Sequence, residues 1–403
     1  MRISARFGRT ALSQWTRRTF SSTAARPATI PEFDRSSSDE LDTKLQIARD
    51  RIIIPKHLTP RETRIVYGSK HRKLFENEEE PVVAHIGGTD VRLQPLDPQK
   101  DHPSEWGTLK SVITLAQTPS DWANVERLLV GYQKAGIKLS PSQVLSVVRK
   151  AWFQGHQDAV LRMVERAHET GIRIQTEELL STLLWGLREL AVAGRWSRRA
   201  LMRALTGVRQ VADYLEAPEH AGGERAVKPG DLRTLPLTIA APLELLAVHH
   251  IRYAPKIPEE REKALDELRQ GAERLLNNIK IYGGAVQKPS STEVIKVRYE
   301  RLKVAEHRLM RVIPVHHAVA LAQRLLVPSD KMPQPQLAAQ TLEECDALIK
   351  ENVKSIGENL SPGQTLEENW AVRGWRACEW VDEGIKKKRT ETTTETTTET
   401  TTE

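Results

Sequence analysis

The side chains in this chain best suited to act on a ligand are cationic. In Gly194–Arg209, GRWSRRALMRALTGVR, arginines stand at 195, 199 and 203. On an α-helix a spacing of four returns to the same face, so Arg195, Arg199 and Arg203 would form one basic stripe with Arg198 beside it. Guanidinium groups neutralise phosphates, and an exposed Trp196 could stack on a base, which makes the segment a candidate RNA surface. The alternative is a solvated helix face with Trp196 turned into the core. Other polar residues offer less. His249-His250 and His316-His317 are sequence neighbours. On a helix neighbours point about 100° apart, so neither pair has the i,i+4 geometry of a zinc H-E-x-x-H motif. Cys345 and Cys378 belong to no CxxC or Cys–His cluster and read as small buried residues of a reducing compartment. Glu343-Glu344 and Glu367-Glu368 read as helix surface. With no nucleophile elbow, P-loop or dinucleotide fingerprint, the sequence predicts no catalytic residue, no metal and no cofactor, hence a non-enzymatic protein.

The elements that must position the arginines are written twice. AGIKLS at Ala135–Ser140 returns thirty-five residues later as TGIRIQ at Thr170–Gln175. At that period Val125 falls on Val160, Arg127 on Arg162, Leu128 on Met163, Gly136 on Gly171, Ile137 on Ile172 and Leu145 on Leu180. Stacked helical hairpins give such periods, because one hairpin cannot bury its apolar face alone. Helical patterning runs from Trp106 to about Glu216, with stripes at Leu109, Val112, Ile113, Ala116 and at Val125, Leu128, Leu129, Tyr132. Thr118-Pro119 and Ser140-Pro141-Ser142-Gln143 are helix starts, the second a capping box. Gly136 and Gly171 stand where helices end and a left-handed residue is often needed. A third unit is less regular: Thr206-Gly207-Val208-Arg209 repeats the motif one residue late.

Around these units the chain divides further. Residues 21–105 form an extended lead-in with a helical stretch at Asp39–Arg51 and a β-hairpin near 81–96, where Gly87-Gly88 supplies the tight turn. A lone hairpin is marginal in water, so it should dock on the helices that follow. Residues 217–235 are a Gly/Pro/charge linker. A C-terminal helical region at 236–385 holds helices near 237–252, 257–280, 291–312 and 315–326, the third opened by a Ser290–Glu293 capping box. After Pro-rich 327–336 comes a last pair near 336–355 and 365–384, with Trp370, Trp375 and Trp380 as anchors. The Glu-Thr-rich tail, 386–403, has nothing apolar to bury and should be disordered. No run approaches the roughly 20 apolar residues that span a bilayer. The fold class expected is all-α, a helical-hairpin solenoid with a small N-terminal β-hairpin and disordered termini.

The first thirty residues carry an address. They contain six arginines among Ser, Thr and Ala and no acid before Glu32, the composition of a mitochondrial transit peptide, assigned to residues 1–20. Arg18-Thr19-Phe20-Ser21 suits matrix processing between Phe20 and Ser21. Removing residues 1–20 takes five arginines and no acid, so 60 basic residues become 55 against 53 acidic, and the net charge falls from +7 to +2. An RNA surface would have to be local. The location expected is the matrix, with a peripheral position at the inner membrane as an option.

A 35-residue hairpin whose second helix ends in Gly-Ile-Lys or Gly-Ile-Arg resembles the pentatricopeptide repeat (PPR) family. The resemblance covers about residues 106–216. It implies an organellar protein, and many members bind single-stranded RNA one base per repeat. The family's base-reading positions fall here on Leu145 with Ser140 and on Leu180 with Gln175. Leucine can neither donate to nor accept from a base edge. Glu177 and Glu178 would also repel phosphate. Two functions follow as expectations. One is mitochondrial gene expression, acting on RNA or as part or partner of the mitochondrial ribosome. The other is a scaffold that binds subunits of a respiratory complex during assembly. DNA is not an expected partner.

Overall fold

Short amphipathic helices that cannot cover themselves set the middle of the chain. The computed structural model describes residues 30–77, 81–97, 99–220, 226–228, 230–285 and 297–381. The proposed transit peptide with Phe20 and Ser21, the Ser290–Glu293 box and the Glu-Thr tail lie outside them. Six segments form three hairpins: α4 (Glu105–Leu115) with α5 (Pro119–Lys134), α6 (Pro141–Phe153) with α7 (Gln157–Glu165) and its continuation α8 (Ala167–Thr170), and α9 (Glu177–Ala193) with α10 (Arg198–Leu215). Helices α4, α6 and α9 stack as one layer, and α5, α7–α8 and α10 as the other. Leu109, Val112, Val125, Leu128, Val147, Val160, Met163 and Leu180 are all buried between them. Thr118 and Ser140 each close a full capping box. Gly136 and Gly171 have φ of 75° and 76°, the left-handed region in which a Cβ is penalised.

The lead-in is tied down more firmly than extended chain. Asp34 and Asn124 exchange two hydrogen bonds of 3.0 and 2.7 Å, and Ser37 donates its backbone N–H and hydroxyl to Asp121 at 2.9 and 2.7 Å. Burial would raise the Asp121 pKa, but hydrogen bonds from Gln117, Ser37 and Thr118 hold it well below the usual carboxylate range. Gly131 lets this strap approach α5, since a Cβ there would stand 2.8 Å from both Ile53 and Pro31.

Helix α1 (Asp39–Ala48) packs on α4, then passes through a π-turn at Arg49–Ile53 into α2 (Ile54–His57) and α3 (Pro60–Tyr67). A 3-10 helix follows at Ser69–Phe75, and then strands β1 (Val83–Ile86) and β2 (Thr89–Arg92) pair antiparallel across Gly87-Gly88. The hairpin packs on what precedes it, a correction to the expectation. Ala84, Ile86, Val91, Leu93 and Leu96 form a second small core with Ile30, Ile54 and Val66, and the Leu96 N–H donates to the Val66 carbonyl. One apolar face of a four-residue strand pair is covered by α2 and α3, already beside it in the chain.

The C-terminal region contains α11 (Pro236–Tyr253), α12 (Pro258–Tyr282), α13 (Arg298–Leu326), α14 (Pro335–Asn359) and α15 (Trp370–Arg376). Helix α13 lies between α11 and α14 and also touches α9, α12 and α15. A helix break near Pro314 does not occur: α13 continues through it, as α11 does through Pro242. An interior proline costs about 3 kcal/mol. Burial of Leu309, Met310, Val312, Ile313, Val315 and Val319 against several partners outweighs that. The last helix is shorter than expected, ending at Arg376. The described residues are therefore all-α with one small β-hairpin. Among the described residues no helix is long and apolar enough to cross a membrane.

Candidate nucleic-acid interface

The basic stripe is interrupted by a turn. Helix α9 ends at Ala193 and α10 begins at Arg198, so Arg195 is not on the helix that carries Arg199 and Arg203. Arg195 and Trp196 have φ of 48° and 56°, two successive non-glycine residues in the left-handed region. Such a pair costs a few kcal/mol and persists only where its surroundings hold it. Here they do. The Arg195 carbonyl accepts from Arg252 Nη1 at 2.6 Å, and the Trp196 carbonyl accepts from the Tyr253 hydroxyl at 3.2 Å. The turn drives Trp196 inward, where it is fully buried and its Nε1 donates to the Ala377 carbonyl at 3.0 Å. Trp196 is thus a core residue and cannot stack on a base.

What remains of the stripe is an exposed group at the α9–α10 edge. Arg195, Arg198 and Arg199 are exposed and make no ion pair with a described residue; Arg203 is exposed but paired with Asp158 of α7. Leu145 and Leu180, where the PPR resemblance would put base reading, are buried. Nor do Glu177 and Glu178 repel a ligand freely: Arg311 meets the first at 2.5 Å and Arg149 the second at 3.3 Å. The nearby His307 is held down to about 4 by burial and then by Arg149, Arg311 and Lys303.

The most connected polar cluster was not legible as a site. Arg188 of α9, fully buried, donates from Nε to both Glu244 oxygens at 2.8 and 3.0 Å, from Nη1 to the Gly374 carbonyl at 3.1 Å and from Nη2 to Cys378 Sγ at 3.1 Å. Its guanidinium lies 5.0 Å from the Trp185 ring centre and 5.5 Å from that of Trp196. His317 Nδ1 of α13 stands 2.6 Å from Glu244 Oε1. Burial alone would lower the imidazole pKa, but the Cys378 sulfur and the Glu244 carboxylate overcome it and hold it at about 9. Glu244 itself lies below its usual range, since Arg188 and His317 outweigh the opposing effect of burial.

Glu244, His317 and Cys378 place possible metal ligands within 4.8 Å of one another. The Arg188 guanidinium, however, already faces both carboxylate oxygens and the sulfur. A fixed cation holds the ligand set, so the cluster is suited to joining α9, α11, α13 and the α15 segment. A signal for it existed: Arg188, with Glu189 next to it, stands in the apolar run LLSTLLWGLREL, and Glu244 is the one charge inside PLTIAAPLELLAV, where unpaired burial would be prohibitive. The tryptophans expected to anchor the last helix do so. Trp370 meets Trp185 and Trp152 edge-on at 5.6 and 6.3 Å, and Trp375 meets His316 at 5.0 Å.

Residues 18–380 match the model of a protein family described as Mrp13, mitochondrial ribosomal protein mS27. The chain is also similar to the small ribosomal subunit protein mS27 of Neurospora crassa, 30% identical over 204 residues. That alignment covers 50% of this chain and 51% of the relative, so the chain spans about half the length of the curated relative it matches.

Proposed function

The chain belongs to the mitochondrial ribosomal protein mS27 family, and from that premise we propose that it is a non-catalytic component of the small subunit of the mitochondrial ribosome, serving translation in the matrix. The observation that carries this reading is the extent of the family match, from residue 18 to residue 380, which takes in both layers of the hairpin stack and the C-terminal helices. The internal chemistry is consistent with such a role: the buried node consumes its charged groups in tying helices together and leaves none of them facing a substrate. We further read residues 106–216 as PPR-type hairpins whose base-reading positions have been given to the core. The 35-residue period and the left-handed Gly136 and Gly171 support this. Such a stack would grip folded RNA and neighbouring proteins by shape and charge. The family match favours the ribosome over the respiratory-complex scaffold.

The test is sedimentation of the tagged chain from lysed mitochondria. We expect it to travel with the small subunit and to leave that position when the ribosomal RNA is digested. Migration with a respiratory complex, unaffected by nuclease, would overturn the reading.

A further inference from the structure

We infer that the N-terminal lobe carries a second, independent RNA contact, a cationic rim of Arg61, Arg64, Lys70, Arg72 and Lys73 that binds the phosphate backbone of folded RNA. This inference rests on the ribosomal reading and names a contact surface for it. From Pro60 to Phe75 those five cations meet one acid, Glu62. Glu62 is spent locally: its Oε2 accepts from the Thr59 N–H and hydroxyl, both at 2.7 Å, in the capping box that starts α3. All five cations are exposed. Arg72 stands 4.0 Å from Asp97, and the other four make no ion pair with a described residue. That is unlike much of the surface, where Arg162 and Arg166 share Glu126, Arg209 meets Glu267 and Arg376 meets Glu367.

The rim is held in shape. Gly68 folds the 3-10 helix tightly against the end of α3, since a Cβ there would stand 2.4 Å from the Arg64 carbonyl oxygen and 3.0 Å from the His71 ring. Beneath it Val66 belongs to the lobe's own core, with half-buried Tyr67 and Phe75 packed against that core. Those two rings serve the lobe's core, so apart from the half-buried His71 the rim offers charge. Charge without stacking or base-edge groups reads phosphates and helix shape, not sequence. Glu76 is exposed beside the rim and opposes it, and Glu78–Glu80 follow in sequence outside the described residues. Among residues 60–77 the described charges remain five cations against Glu62, which is engaged in its cap, and Glu76.

The test uses the full chain and a double-stranded RNA hairpin of generic sequence. Changing Arg61, Arg64, Lys70 and Lys73 together to Gln should weaken binding at least roughly tenfold at moderate salt and flatten the salt dependence by about 0.9 per lost contact. The melting temperature should stay put, because all four side chains are exposed. The same number of Gln changes at exposed cations of α12 serves as the control and should leave binding near the wild-type value. In mitochondria, ultraviolet crosslinking should recover RNA on the peptide containing residues 61–73. Wild-type affinity in the quadruple variant, or a crosslink from this peptide only to an acidic protein, overturns the inference. The ribosomal reading fails separately, when the wild-type chain does not sediment with the small subunit.

Discussion

The helical pairs between Glu105 and Leu215 and the long helices after Pro236 solve one problem in two ways. The first half uses repetition: short helices, caps of Thr or Ser, left-handed glycine turns, and apolar faces that each neighbour covers. Its ion pairs reach the surface, as Arg203 with Asp158 does, although the carboxylates of Asp121 and Glu126 in α5 are buried. The second half has no repeat. Its helices reach 25 and 29 residues, two of them pass through interior prolines, and a buried ionic cluster fastens them to α9. Apolar covering is non-directional and tolerates drift in sequence. A buried charge does not, because its cost is recovered only at one geometry. The stack thus supplies bulk, while the node fixes how the two halves meet.

The largest effect should therefore come from breaking the node from one side. Glu244→Ala leaves Arg188 buried without its carboxylate, and a loss of about 3–5 kcal/mol is expected. A melt followed by tryptophan fluorescence should shift by many degrees. A shift as small as that of a surface variant would mean that apolar packing alone joins the halves. Raising the pH gives a reversible version of the same test. The folded pKa of His317, about 9, is raised above its ordinary 6.5, so its contribution is complete below about pH 6.5 and fades as pH rises through 9. Stability should drop by a few kcal/mol toward pH 10 in the wild type. In His317→Gln that alkaline loss should be much reduced, and an unchanged alkaline loss would remove the imidazole from the account.

Next comes close approach. A Cβ on Gly374 would stand 2.3 Å from the Trp185 ring, so Gly374→Ala should cost about 1–3 kcal/mol by overpacking. Within the stack, Gly136 has open space around its missing Cβ, so Gly136→Val meets only the left-handed backbone penalty, on the order of 1–2 kcal/mol. Lys138→Ala in the adjacent turn should be nearly silent. Equal melting temperatures for these two would show that the turn does not need its glycine.

The same contrast explains what was legible in the sequence. Val125, Leu128, Leu145 and their partners one period later were readable because a local pattern repeats, and Gly87-Gly88 because a two-residue turn is chemically explicit. The Arg195 spacing misled because periodicity assumes an unbroken helix, and the left-handed pair at 195–196 has no glycine to announce it. The node joins residues 56 and 190 positions apart, such as Arg188 with Glu244 and with Cys378, and no local pattern records that. The helices expected near 291–312 and 315–326 are one, because the long-range packing that keeps α13 intact is invisible from its own residues. The cations at 61–73 stand in a mixed stretch, RETRIVYGSKHRK, that no motif sets apart, and which of its charges remain unpaired after folding is not written there.

The smallest effect is the sharpest check on the comparison. Arg203 of α10 and Asp158 of α7 join neighbouring repeats, as Arg188 and Glu244 join the halves, but their side chains are 52% and 62% exposed against 2% and 1%. Water and salt screen the outer pair, and holding two long side chains costs entropy, so its coupling should be about 0.2–1 kcal/mol. A double-mutant cycle with Arg203→Gln and Asp158→Asn measures it directly from the melts. The coupling should shrink further in high salt, while that of the buried pair should hardly change. A salt-resistant coupling of several kcal/mol in the outer pair would mean that the stack, too, depends on fixed charge geometry, and the distinction between the halves would fall.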